Sequence, residues 1–186
     1  MTVRLRFCWI QRNCNRLGSS TKGNKDRDGK IEYIAGFRFL SKKKGLEAEC
    51  MLEEQTVKKL IKCALEQRKF SYAPYSNFCV GAALLAENGT VYTGCNIENG
   101  AYSPSNCAER TAFFKAVSEG VKEFRAICIV GAPKDETPNE FCPPCGVCRQ
   151  VMLEFCGSDF LIVLAANQEK YQIFTLEELV PMGFHL

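Results

Sequence analysis

Two cysteine motifs far apart in the chain set the strongest limit on how it can fold. Cys107-Ala108-Glu109-Arg110 comes first, and after a long gap Pro144-Cys145-Gly146-Val147-Cys148 follows. Cys145 and Cys148, at i and i+3 on a predicted helix start, project both sulfurs the same way, and Cys107 opens another predicted helix. A fold that brings those two helix starts together lets three thiolates converge on one ion. The positive ends of the two helices help to hold the thiolates deprotonated, and zinc, which accepts sulfur in tetrahedral geometry, is the natural ion.

The rest of the composition narrows the chemistry. The one histidine, His185, stands near the C-terminus. Ser-His-Asp and Cys-His catalysis and multi-histidine metal sites are therefore excluded. The 186 residues, 46% of them hydrophobic, suit one ordinary core. No apolar run reaches the eighteen or so residues of a membrane span, and the first twenty residues lack the apolar stretch of a secretory signal. The expectation is a cytoplasmic protein, with a nuclear share as an alternative and no membrane partner, whose twelve cysteines are reduced and serve metal binding or packing.

Charge divides the chain into a tail and a body. From Met1 to Lys44 basic residues outnumber acidic ones about four to one, and the remainder is net acidic although the total is +3. Residues 1–52, with Gly18-Ser19-Ser20 and the Lys42-Lys43-Lys44 run, read as a basic, disordered extension. Residues 53–186 read as the catalytic domain. Arg4, Arg6, Arg12 and Arg16 precede any acidic residue, as in an organelle transit peptide, which is an alternative reading of the tail. Asn24, Asp26, Asp28, Gly29 and Glu32 imitate the start of a calcium loop, but Ala35 stands where its bidentate Glu belongs.

Hydrophobic periodicity orders the body. Val57, Leu60, Ile61, Ala64 and Leu65 predict a helix from Glu53, and Cys79–Ala86 and Thr90–Ile97 predict a hairpin turned at Glu87-Asn88-Gly89. A helix over Cys107–Ser118 stopped by Gly120, a strand over Arg125–Val130 and a helix over Val147–Phe155 follow. Phe160–Ala165 and Tyr171–Phe174 predict two more strands, and Thr175 can cap a last turn through Glu178. Alternating α and β elements predict an α/β sheet covered by helices.

Three sulfur ligands leave a fourth zinc position open for water, as a catalytic site requires. Glu109, two residues after Cys107, is suited to carry that water's proton. A closed structural site is the alternative, because Cys142 supplies a fourth sulfur three residues before Cys145. The Pro143-Pro144 pair restricts where Cys142 can point, and a closed site gives Glu109 no purpose.

The pairing of Cys-Ala-Glu-Arg with Pro-Cys-x-x-Cys resembles the zinc-dependent cytidine deaminases, from roughly Glu54 to Phe184. That resemblance implies a three-layer α/β/α fold with a mixed, about five-stranded sheet, one zinc per subunit, and hydrolysis of free cytidine and deoxycytidine to uridine and deoxyuridine in pyrimidine salvage. Cys107, Cys145 and Cys148 become the zinc ligands and Glu109 the proton shuttle. Arg110 becomes a hydrogen-bond donor that offsets the thiolate charge. Gly94-Cys95-Asn96-Ile97-Glu98-Asn99 resembles the family's sugar-binding segment and assigns Asn96 and Glu98 to the sugar hydroxyls. Phe78 is assigned a place beside the base, Ala108 to substrate binding, and Phe184 to closing the pocket. The Cys-ligated members are homotetramers with pockets shared between subunits, which implies that Tyr102 reaches across to a neighbour, although Ser105-Asn106 departs from the family pattern. A short form starting at Met51 would contain the whole family-like region. Deamination of a polynucleotide is the rival reading. The acidic body and the Asn96–Glu98 pair oppose it, and no nucleic-acid partner is expected.

Overall fold

The structure, a computed structural model, describes residues 52–184. The expected basic extension, its calcium-like and transit-like runs and His185 lie outside the described residues, Leu52 apart. Nine elements follow in order: α1 (Glu54–Arg68), β1 (Phe78–Ala86), β2 (Val91–Cys95), α2 (Ala108–Ser118), β3 (Phe124–Pro133), α3 (Gly146–Phe155), β4 (Leu161–Ala165), β5 (Tyr171–Thr175) and α4 (Leu176–Leu179). The strands form one mixed sheet in the order β2-β1-β3-β4-β5, antiparallel at every step except the parallel β3–β4 pair. The predicted α/β class, with five strands in one mixed sheet, is the observed one.

Strand alternation sends residues to two cores. Ala83 and Leu85 of β1, Ala126, Cys128 and Val130 of β3, and Val163 of β4 meet Val57, Leu60, Ile61 and Ala64 of α1 on one face. Ala82 and Leu84, Ile127 and Ile129, and Ile162 and Leu164 point to the other face, against α2, α3 and α4. The central strands are buried on both faces and so read as near-continuous apolar runs. Three layers result, with α1 alone on one side. Phe113 of α2 anchors the larger core, edge-on to Phe124 with ring centres 5.0 Å apart. The expected cap of the last turn is a full capping box: Thr175 Oγ1 accepts from the Glu178 amide, and the Glu178 carboxylate accepts from the Thr175 amide.

Two strand ends differ from the sequence reading. The second strand stops at Cys95, two residues short of Ile97, because the Asn96 side chain takes over the partners on β1. Its Oδ1 accepts from Val80 N at 2.8 Å and its Nδ2 donates to Phe78 O at 2.8 Å. Beyond it Ile97 makes isolated bridges to Tyr72 and Asn106. The third strand runs on through Pro133, where it pairs with Phe78.

Two glycines set how closely helices approach the sheet. A Cβ at Gly81 of β1 would lie 2.0 Å from Ala64 O and 2.6 Å from Arg68 N of α1. One at Gly94 of β2 would lie 2.3 Å from Ala108 O and 2.5 Å from Ala112 N of α2, on the other face. Both obstacles are backbone, which cannot rotate away. Gly94 therefore presses the first turn of α2, which carries Glu109, against the sheet. Gly81→Ala is expected to destabilise the protein by about 3 kcal/mol or more, as overpacking against rigid backbone does. Urea unfolding checks this, and a midpoint equal to that of the wild type would refute the close approach.

Candidate active site

The turns into α2 and α3 bring the two cysteine motifs together. Cys107 is the N-cap of α2 and Cys145 the N-cap of α3, both in extended backbone that turns into the helix. Cys107 Sγ lies 3.8 Å from Cys145 Sγ, which lies 3.6 Å from Cys148 Sγ, and the three sulfurs all fall within 4.8 Å of one another. A tetrahedral ion with sulfurs at about 2.3 Å has ligand-to-ligand edges of about 3.8 Å, so the spacing fits zinc. Among the described residues this is the one cluster of three or more such side chains able to hold a metal ion.

The surroundings favour thiolate at Cys145. Hydrogen bonding from Cys107, then from Cys148, draws Cys145 down to about 2, with the backbone amides of Cys148 and Val147 adding to the effect. Pairing with Cys145 pushes Cys107 upward against a lowering bond with Cys148, and pairing with Cys107 and Cys145 pushes Cys148 upward. Arg110 Nη2 donates to Cys107 Sγ at 3.8 Å and to Ser105 O at 3.2 Å. Burial pulls the Arg110 guanidinium down, but its bonding to Cys107 and the charge of Cys107 and Cys148 outweigh burial and raise it. Cys142 stays outside the cluster. Its sulfur packs on the bare face of Gly131, where a Cβ would lie 2.7 Å away, and burial pushes its thiol up to about 12.

Glu109 sits in the first turn of α2, 4% exposed, the one buried charged side chain among the described residues. Burial raises its carboxyl above the ordinary value, the charge of Cys145 adds to the rise, and hydrogen bonds from its own backbone amide and from Cys148 oppose it. A carboxyl kept inside a core against a cluster of sulfurs has no packing value. A buried carboxyl with a raised pKa beside a metal-binding cluster marks a candidate reactive group.

The other expected residues differ in burial and in bonding. Ala108 is fully buried beneath the first turn of α2, and Phe78 begins β1, its ring against Gly131 beside Cys142. Asn96 and Glu98 lie beyond the end of β2. Glu98 Oε2 accepts from the amides of Tyr75 at 2.8 Å and Ser76 at 3.3 Å. Burial raises the Glu98 carboxyl, but the Ser76 side chain and these amides outweigh it and keep the group ionised. Tyr102 is 62% exposed with a left-handed backbone, φ 61°, and Phe184 is 63% exposed. The departing pair Ser105-Asn106 anchors the connecting loop: Ser105 Oγ accepts from Asn99 N at 2.9 Å, and Asn106 Nδ2 donates to Thr111 Oγ1 at 3.1 Å.

The sequence reading missed Arg68. From the last residue of α1 its guanidinium reaches Cys79 O at 3.0 Å, Ala132 O at 3.0 Å, Pro133 O and Glu136 O, tying the start of β1 to the end of β3 beside Phe78. A basic residue ending a helix was the available signal, but it names no distant partner.

Residues 54–164 match the family model described as cytidine and deoxycytidylate deaminase zinc-binding region, well over half of the chain. The chain belongs to this deaminase family. Over 128 residues the family member is 49% identical to a cytidine deaminase of Sporosarcina psychrophila, covering 69% of this chain and 90% of that one. A cytidine deaminase of Halalkalibacterium halodurans is 49% identical over 125 residues, covering 67% and 91%. The crystal structure of cytidine deaminase from Burkholderia pseudomallei superposes with a TM-score of 0.61 at 43% identity, over 68% of this chain and 97% of that one. The deaminase is zinc-dependent, and its thiol triad fits the ion that the family binds. Among the described residues of the deaminase, no helix is long and apolar enough to cross a membrane.

The burial of Glu109 carries a pH signature. A carboxyl whose folded pKa is raised above its ordinary 4.5 stabilises the fold fully below 4.5, and that contribution is lost as pH rises through the raised value. Glu109→Gln removes the ionisation. The metal-free variant is expected to melt above the metal-free wild type at pH 7, with the difference shrinking as pH falls toward 4.5. A variant that melts lower at pH 7 would contradict the assignment.

Proposed function

We propose that residues 53–186 hydrolyse the exocyclic amine of free cytidine and deoxycytidine, giving uridine or deoxyuridine and ammonia, as a step of pyrimidine salvage in the cytoplasm. The single observation that supports this most is the buried carboxyl of Glu109 beside three converged sulfurs. Relatives named cytidine deaminase, two of them 49% identical, supply the substrate class.

Cys107, Cys145 and Cys148 would hold the zinc. When bound, the ion supplies a water acidic enough to attack carbon at neutral pH, at the position that three ligands leave open. Arg110 spreads the charge of three thiolates by donating to Cys107. Glu109 takes the proton of the attacking water and gives it to N3 of the pyrimidine ring. It then carries a second proton to the amine that leaves from C4. Burial suits it to both transfers, because a carboxyl raised toward neutrality both accepts and releases protons readily.

Asn96 and Glu98 bind the sugar. The Glu98 carboxylate has accepting capacity beyond the two backbone amides it already meets, and Asn96 retains one further donor and acceptor. The amide clamp of Asn96 on Phe78 O and Val80 N also fixes the strand that carries Phe78 to the base. Ala108 lies at the floor of the pocket, and Phe184 closes it. Tyr72, Tyr75 and Tyr102 stand exposed around the site loops. These aromatic surfaces suit burial by a second copy, and we read the enzyme as a homotetramer with Tyr102 crossing to the neighbouring pocket.

The test follows the absorbance change of cytidine turning to uridine with zinc-loaded protein. Glu109→Ala is expected to keep its zinc and lose about 10³-fold or more in kcat, the scale of a lost proton shuttle. A wild type inactive on both cytidine and deoxycytidine would overturn the proposal.

A further inference from the structure

One side chain ties the metal loop to the C-terminal segment. Arg149, half-buried on α3, follows Cys148 directly. Its Nε donates to Pro144 O at 2.8 Å and its Nη1 donates to Leu179 O at 2.6 Å. The first carbonyl belongs to the buried residue joined to Cys145. The second ends α4, where the last helical carbonyls have no partner within the helix. A guanidinium holds its donors in a rigid planar fork that suits two acceptors on separate segments, whereas the three donors of a lysine ammonium share one nitrogen on a flexible stem.

Neighbouring groups on α3 extend the attachment. Gln150 Nε2 donates to Phe184 O at 3.2 Å. Gly183 lies against α3 so closely that a Cβ there would be 2.5 Å from Leu153 Cδ1. Pro144 has no amide hydrogen, so its carbonyl is the one backbone group by which a side chain can hold it.

We propose that Arg149 is a positioning residue for two parts of the pocket at once, fixing Cys145 through the Pro144 carbonyl and α4 with its Phe184 extension through the Leu179 carbonyl. The metal loop and the C-terminal aromatic are then ordered together. The pocket role of Phe184 rests on the proposed function, but the coupling itself does not require turnover.

The experiment uses full-length, zinc-loaded wild type, Arg149→Gln and Arg149→Lys. Zinc release to a chromogenic chelator reports the metal loop, and amide hydrogen exchange of residues 176–184 reports the C-terminal segment, with β1 and β3 as the internal reference for global folding. In Arg149→Gln zinc release is expected about tenfold faster, the lower end of what losing an outer partner of a metal site does. Exchange in 176–184 is expected to rise while β1 and β3 stay protected. Arg149→Lys, which keeps the charge but loses the planar fork, should fall between, and it carries the test alone if the glutamine variant does not fold. Wild-type zinc release in these variants, or a change in one segment without the other, would overturn the coupling. So would equal loss of protection throughout the sheet, which marks a merely structural arginine. Failure of the wild type to deaminate cytidine would overturn the functional reading and leave these results standing.

Discussion

Sulfurs held 3.6 and 3.8 Å apart cannot all be charged unless a cation sits among them, because like charges at that distance in a partly desolvated site repel by several kcal/mol. Hydrogen bonds between the sulfurs divide the charge unevenly, lowering Cys145 and raising Cys107 and Cys148. Much of the fold can be read as the apparatus that keeps the three together. The sulfurs come from two chain regions, so the sheet must bring α2 and α3 to one end, and the bare faces of Gly81 and Gly94 allow helices to press onto the strands from both sides.

The same packing isolates Glu109. Placing a carboxyl on the core side of the first turn of α2 costs stability, and the cost depends on the protonation state of the group. A structural zinc site needs no such residue. In this chain the expense and the metal cluster stand side by side, and that coincidence separates a reaction centre from a staple. Cys142, the sulfur that could have closed the site, instead packs against Gly131 next to Phe78.

Much of this was legible in the sequence because it depends on short-range regularities. Three- and four-residue spacing gave α1 to within a residue at its start, Asn88-Gly89 gave the hairpin turn, and the Thr175–Glu178 spacing gave the capping box. The metal triad was legible because i, i+3 cysteines after a proline have few other uses. What escaped detection depends on long-range partners. Asn96 ends β2 early because its side chain imitates a strand and bonds to Phe78 and Val80, and no local pattern separates that from a turn asparagine. Arg68 and Arg149 each spend their donors on backbone carbonyls of distant segments. Carbonyls carry no sequence identity, so such contacts leave no motif. The basic extension before residue 53 rests on charge and composition, and the described residues reach only its last position, Leu52.

An open three-sulfur zinc centre served by Glu109 has a direct signature in the zinc-edge X-ray absorption spectrum of the zinc-loaded protein. Three sulfurs at about 2.3 Å and one oxygen at about 2.0 Å are expected. Four sulfurs and no oxygen would contradict it, because Cys142 would then close the site and Glu109 would have no water to serve.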